Sequence, residues 1–230
     1  MSVTITTINK TQKTSKFSLY GLLYNWYAVS DARGIAPVGW HVATDADFVT
    51  LIAYGGTGYW NIGGKLKETG INHWNTPNTG ATNEFGFTLL PAGYRQLKYN
   101  DGGFYDLGSA GYIGTSSLIY GCEIRYYTTY QETYLWQSSN ESEPKRGGFP
   151  RRFVRDNTIG YIDGEIIQDY DQNQYHTIRI GTQVWAVENV AVTHYNNGDV
   201  IPEVIDNATW ISLSTGALCA YNNDWSEVFS

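Results

Sequence analysis

The chain has 230 residues, enough for one large or two small domains with a substantial core. Aromatic residues reach 15% and charged residues only 16%, a balance that excludes a disordered chain and suits a Tyr-rich, loop-rich β or α+β domain or a recognition surface. The net charge of −7 speaks against a nucleic-acid partner, because phosphate backbones need clustered Lys and Arg.

In chain order, residues 1–16 alternate Val3, Ile5 and Ile8 among Thr and Lys, which predicts an N-terminal arm or edge strand. This stretch lacks the apolar core of a classical signal peptide, and no apolar run reaches the roughly 20 residues of a membrane span, so membrane insertion is not expected. The run "YGLLYNWYAV" at 20–29 predicts a buried strand, and "DARGIAPVGWHVA" a Gly/Pro loop. Thr44 with Asp47 three residues on forms a capping-box start. Phe48, Leu51 and Ile52 follow at helical spacing until Gly55-Gly56 ends the helix. A second short helix fits "GGKLKETG" at 63–70, and a short strand fits residues 87–90. Residues 101–156 read as β-rich, with the alternation in "EIRYYTTYQETYLW" suiting exposed strands that carry Tyr on one or both faces. Beyond 156 a hairpin turning at "DYDQNQ" is expected, then short strands, one helical turn and a final strand.

Few residues carry obvious chemistry. His41, His73, His176 and His194 lack Cys or paired carboxylates at ligand spacing and read as structural or surface histidines. "DYDQNQY" lacks the glycine and closing Glu of a calcium loop, so a hairpin turn is the better reading. "GGTGYWNIGG" follows a helix and lacks a Lys-Ser/Thr ending, which speaks against a phosphate loop. Glu84, Glu188 and Asn189 are expected to satisfy loop backbone donors, and no nucleophile elbow or ordered triad is found. The basic cluster Lys145-Arg146 with Arg151, Arg152 and Arg155 reads as a solvated strand face in preference to an anion site. Cys122 and Cys219 read as two reduced thiols. No cofactor or enzymatic activity is expected. Residues 112–152 instead combine Tyr, Trp, Ser, Asn, Thr and Gly in the proportions of a paratope.

The phrases "GLLYNWYAV", "GWHVATDADFVTLIAYGG", "GGKLKETG", "HWNTPNTGATNEFGFTLLPAGYR", "LGSAGYIGTSS" and "RRFVRD" together resemble the Fibrobacter succinogenes major paralogous domain over roughly residues 20–156. The resemblance implies a C-type-lectin-like α+β domain: two short helices, short twisted antiparallel sheets and long loops. It also implies a place among secreted bacterial proteins or phage proteins, including targets of diversity-generating retroelements. Residues 157–230 resemble the part of that family that normally comes first, and 17–156 the part that follows, so the order reads as circularly permuted. A tandem array completed by neighbouring chains is the other reading. The closing "CAYNNDWSEVFS" and the opening "KFSLYGLLYNWYAV" then look like two sides of one cut, which predicts that Phe229 and Leu19 lie close together. Where the family commonly carries cysteines, this chain has Ala36 and Phe153, as if a pair was lost together and the site filled by packing. Ile113 and Gly114 replace aromatic residues of the family's "GYWWSS" phrase.

The function this implies is ligand or receptor recognition on a phage virion (tail or fibre component) or a cell-surface adhesion protein. The expected partner is a host-surface protein or glycan. The residues expected to carry binding are Tyr112, Ile113, Tyr120, Arg125, Tyr127, Tyr130, Tyr134, Trp136 and Asn140. The alternative is a structural virion or surface-assembly subunit that uses the same face to join its own copies or other virion proteins. An enzymatic role is weaker still: the related sulfatase-activating enzymes depend on cysteines with no counterpart here.

Overall fold

The apolar run at 20–29 divides at Asn25 and does not form the single buried strand expected. Strand β1 (Leu23–Tyr24) precedes Asn25 and helix α1 (Trp26–Val29) follows it. Asn25 Oδ1 accepts from the Ala28 and Ala217 amides at 2.9 and 3.1 Å, and Nδ2 donates to the Thr215 carbonyl at 2.8 Å. One side chain thus caps a helix and clamps a loop far away in sequence, and satisfying those polar groups overrides the apolar pattern. The computed structural model describes residues 17–56, 58–96, 101–138 and 144–229; the arm expected over 1–16 and the site candidate Asn140 lie outside the described residues.

Strand β2 (Trp40–Val42) leads into helix α2 (Asp45–Gly55). The helix opens on the expected Thr44–Asp47 capping box and closes at Gly56, whose φ of 69° is left-handed. The second helix, α3 (Tyr59–Leu66), starts earlier than expected and stops at Lys67. Its Gly63 packs backbone against backbone, since a Cβ there would sit 2.8 Å from the carbonyl oxygens of both Thr133 and Tyr134. Strands β3 (Ala92–Arg95) and β4 (Phe104–Leu107) pair antiparallel. The strand expected near 87–90 is irregular, because the Arg152 guanidinium takes the Phe87 and Thr88 carbonyls that a ladder would need.

Strands β5 (Gly111–Ile119), β6 (Glu123–Thr129) and β7 (Trp136–Gln137) form an antiparallel three-stranded sheet. Next in the chain come β8 (Phe153–Arg155), β9 (Ile166–Gln168), β10 (Gln174–Ile180) and β11 (Gln183–Ala186). With β2 they build a five-stranded sheet in the order β2-β8-β11-β10-β9. The expected "DYDQNQ" hairpin joins β9 and β10, fixed by Asp169, which accepts from the Asn173 amide and side chain at 3.0 and 2.8 Å. Helix α4 (Asn207–Ile211) and β12 (Leu218–Cys219) follow, β12 pairing with β1, and two 3-10 turns, Tyr221–Asn223 and Trp225–Glu227, come after them. The fold is mixed α/β, mostly sheet with few helices.

Residues before and after 156 share one interior. Leu22, Tyr24, Val42 and Phe153 pack with Tyr175, Val184, Val192 and Leu218 in a single cluster, and Ala36 packs against it. The "RRFVRD" arginines are not the solvated strand face expected. Arg151 and Arg152 are 0% and 1% exposed. Arg151 donates to the Thr115 and Tyr24 carbonyls, and Arg152 donates to the Asn189 side chain and the Ala186 carbonyl besides Phe87 and Thr88. Arg95 likewise spans the two parts, reaching the Val204 and Ile205 carbonyls and Asn207 Oδ1 while stacking 4.3 Å from the Trp210 ring. A guanidinium carries five donors, so it satisfies several loop carbonyls at once where apolar packing would leave them orphaned.

Leu19 and the 228–229 segment meet within one chain. The Leu19 amide donates to the Val228 carbonyl at 2.8 Å, and Ser18 bridges antiparallel to Phe229. Cys122 is exposed, Cys219 is buried, and both are free thiols. Glu188 accepts from the His176 amide as expected of a loop carboxylate. Asn189 instead serves Arg152 and the Tyr20 carbonyl, and Glu84 pairs with Lys65.

Candidate functional site

The Tyr-rich β5–β6 hairpin is covered on both faces, so its alternation does not place Tyr in solvent. Tyr112, Ile113 and Tyr127 are 3%, 1% and 1% exposed and belong to the core, contrary to their expected place on a binding surface. Tyr127 stacks on Phe48 of α2 with ring centroids 4.1 Å apart. Tyr112 packs against Tyr94 at 4.4 Å on the opposite face, its hydroxyl donating to Asp106 at 2.8 Å. Tyr120 is exposed at the β5–β6 turn, away from these contacts, in the left-handed conformation. Tyr130 is exposed but tied by its hydroxyl to Tyr112 at 3.0 Å.

A different grouping holds Tyr134 and Trp136. Tyr134 lies between Trp60, at 5.2 Å edge-on, and Trp136, at 4.4 Å, with Tyr59 at 6.4 Å. Trp60 is 74% exposed and Trp136 48% exposed. Residues 59 and 60 form the first turn of α3, and residues 133–137 run alongside it. The Leu135 amide donates to the Tyr59 carbonyl at 2.8 Å, and the Thr133 hydroxyl donates to the Trp60 carbonyl at 3.1 Å. The close approach at Gly63 makes this side-by-side path possible. Two chain segments seventy residues apart thus present one aromatic platform.

Beneath and beside it lies a polar network. Asp45 Oδ1 accepts from the Tyr127 hydroxyl at 2.7 Å and from Gln137 Nε2 at 3.0 Å, and Arg125 Nε lies 3.4 Å away. The Arg125 guanidinium also donates to the Ser138 carbonyl. Tyr59 donates to Gln137 Oε1 at 3.4 Å. Burial, then the Asp45 carboxylate, pushes both the Tyr127 and Tyr59 hydroxyls up, so each stays a protonated donor at neutral pH.

Lys67, just past α3, anchors the loop that carries the platform. It is 0% exposed, and its ammonium donates to the carbonyls of Thr79, Tyr130 and Glu132 at 3.1, 3.2 and 2.7 Å. Burial lowers its pKa to about 8. Lys67, Trp60, Tyr59, Asp45, Thr133 and Gln137 are participants outside the residues expected from the sequence. The signal for Trp60 in the sequence is a Tyr-Trp pair between glycine-rich stretches in "GGTGYWNIGG", whereas nothing local marks Lys67 as buried.

Away from the platform, a concavity of ≈ 400 Å³ is lined by Tyr27, Asp31, Arg33, Val200, Ser214 and Gly216 among others. Its one cation, Arg33, is taken by Asp31 and Asp199 at 2.8 and 2.9 Å, and Asp31 is held down to about 2 by that pairing. Among the described residues no group of three or more His, Cys, Asp or Glu side chains could hold a metal ion. No helix among them is long and apolar enough to cross a membrane.

A family model described as the Fibrobacter succinogenes major domain matches residues 2–158, more than half of the chain. No curated protein and no solved structure matches it.

Proposed function

The chain belongs to the Fibrobacter succinogenes major domain family, and on that footing we propose that it is a recognition domain that binds its target through the Trp60–Tyr134–Trp136 platform. The observation that carries this reading is the exposure of two indoles on segments joined by the Leu135 amide and Thr133 hydroxyl hydrogen bonds. Solvent-facing aromatics cost burial energy unless something covers them, and rigid ones lose little entropy on binding. The proposal includes a C-type-lectin-like fold in permuted order, which the shared interior and the Leu19–Val228 hydrogen bond support. It also includes a place on a phage virion or cell surface, which rests on the family resemblance. The other reading is a structural subunit that covers this face with its own copy, and the same exposed indoles favour it.

One experiment separates the two. Labelled wild-type protein and a Trp60→Ala/Trp136→Ala double variant are tested for adsorption to a panel of intact bacterial cells, with their masses in solution measured by light scattering. The expected result is a monomeric wild type that adsorbs and an equally folded variant that does not. Equal adsorption by both would refute recognition at this face. A wild-type oligomer that the double variant dissolves would establish the structural reading.

A further inference from the structure

We infer that the platform takes an uncharged pyranose glycan, an inference that rests on the recognition reading above. Area decides first. A fully buried aromatic side chain covers at most about 250 Å². Trp60 at 74% and Trp136 at 48% exposure therefore offer roughly 300 Å² between them. A stable protein partner covers about 800 Å² per side, so this apolar face fits a ligand of a few sugar rings better.

Charge decides next. Arg125, the cation of the adjoining network, is taken by Asp45 at 3.4 Å and by the Ser138 carbonyl, so it is not free for a phosphate or carboxylate. The whole chain carries −7, which further disfavours an anionic ligand.

Chemistry decides last. A pyranose has an apolar C–H face and a rim of hydroxyls that must keep hydrogen bonds when desolvated. The platform sets two exposed indoles, tilted by 75° and 56° against Tyr134, beside neutral polar groups. Beside the rings, Gln137 spends its amide protons on Asp45 and the Tyr127 hydroxyl, which leaves lone pairs on Gln137 Oε1 and the Tyr59 hydroxyl as acceptors. The Thr133 hydroxyl, which donates to the Trp60 carbonyl, and Asn61 belong to the same segments; Asn61 Oδ1 is 3.3 Å from Thr133 Oγ1, and its amide nitrogen, on an exposed residue, has no partner among the described residues. Stacking would supply the affinity, and these neutral donors and acceptors the orientation.

The test titrates neutral hexasaccharides of glucose, galactose and mannose, and an anionic hexauronate control, into the full chain while following tryptophan fluorescence. Saturable binding of at least one neutral hexasaccharide is expected, at least about tenfold weaker in Trp60→Ala and in Trp136→Ala. Binding should be unchanged in Val38→Thr, which replaces a fully exposed residue elsewhere. Circular dichroism confirms that each variant is folded. In parallel, periodate oxidation of cell glycans should abolish adsorption to cells. If no neutral sugar binds and adsorption survives periodate yet still requires Trp60 and Trp136, the partner is a protein. The glycan inference then fails while recognition stands. Preference for the hexauronate also overturns it. If adsorption does not require the two tryptophans, the recognition reading itself fails.

Discussion

Replacing Lys67 by methionine keeps the length of the side chain but removes the ammonium that holds three carbonyls of the 79 and 130–132 loops. Each hydrogen bond from a charged donor to a buried acceptor is worth about 2 kcal/mol, so three amount to about 6. Against that stands the cost of burying the charge. The fall from an ordinary 10.5 to about 8 corresponds to roughly 3 kcal/mol at 1.36 kcal/mol per tenfold in proton affinity. The Lys67→Met variant is therefore expected to be less stable by about 3 kcal/mol, read as a lower midpoint in urea at pH 7 with an unchanged slope. The pH dependence gives a sharper check. Because the folded value lies below the unfolded one, the unfolded chain binds more protons between about pH 8 and 10.5. The Lys67 contribution to wild-type stability therefore rises through that window. Wild type minus variant cancels the other titrating groups, so the difference should widen as pH rises from 8 to 10.5. A variant as stable as wild type, with a difference flat in pH, would show that water already serves these carbonyls and that Lys67 does not anchor the loop.

Two further outcomes follow from the same reasoning. His41 sits between Asp47 Oδ2 at 3.0 Å and Asp156 Oδ1 at 2.7 Å, and the Asp47 hydrogen bond leads in raising its pKa above 6.5. Its stabilisation is full below pH 6.5 and is lost as pH rises through the raised value, so the advantage of wild type over His41→Gln in urea midpoint should shrink between pH 5.5 and 8.5. Gly63→Ala would force the added methyl against the Thr133 and Tyr134 carbonyls. A loss of about 1–3 kcal/mol is expected, seen as a lower melting temperature, together with weaker cell adsorption because the platform segment is displaced.

Local signals were read correctly where the physics is local. The Thr44–Asp47 capping box and the Gly56 stop delimit α2 through bonds within one turn, and the "DYDQNQ" turn is fixed by Asp169 acting four residues away. The expectation that Leu19 and Phe229 meet came from phrase order, and Ser18 does bridge to Phe229. Misreadings fell where distant partners override local pattern. Asn25 splits an apolar run because the 215–217 loop needs its amide. Arg151 and Arg152 look solvated but are buried because loop carbonyls must be paired.

Of the proposed platform, Tyr134 and Trp136 lie in the 112–152 stretch that composition singles out. Alternation could not tell Tyr127 from Tyr134, since a strand covered on both faces has no solvent side. Which aromatic rings face outward was decided by the packing of α2 and α3 against the β5–β6–β7 sheet. So was the meeting of Trp60 with Tyr134 across seventy residues of chain. Sequence determined that this protein would be rich in rings and poor in charge; only tertiary packing, by burying most of those rings, decided which few remain to touch another molecule.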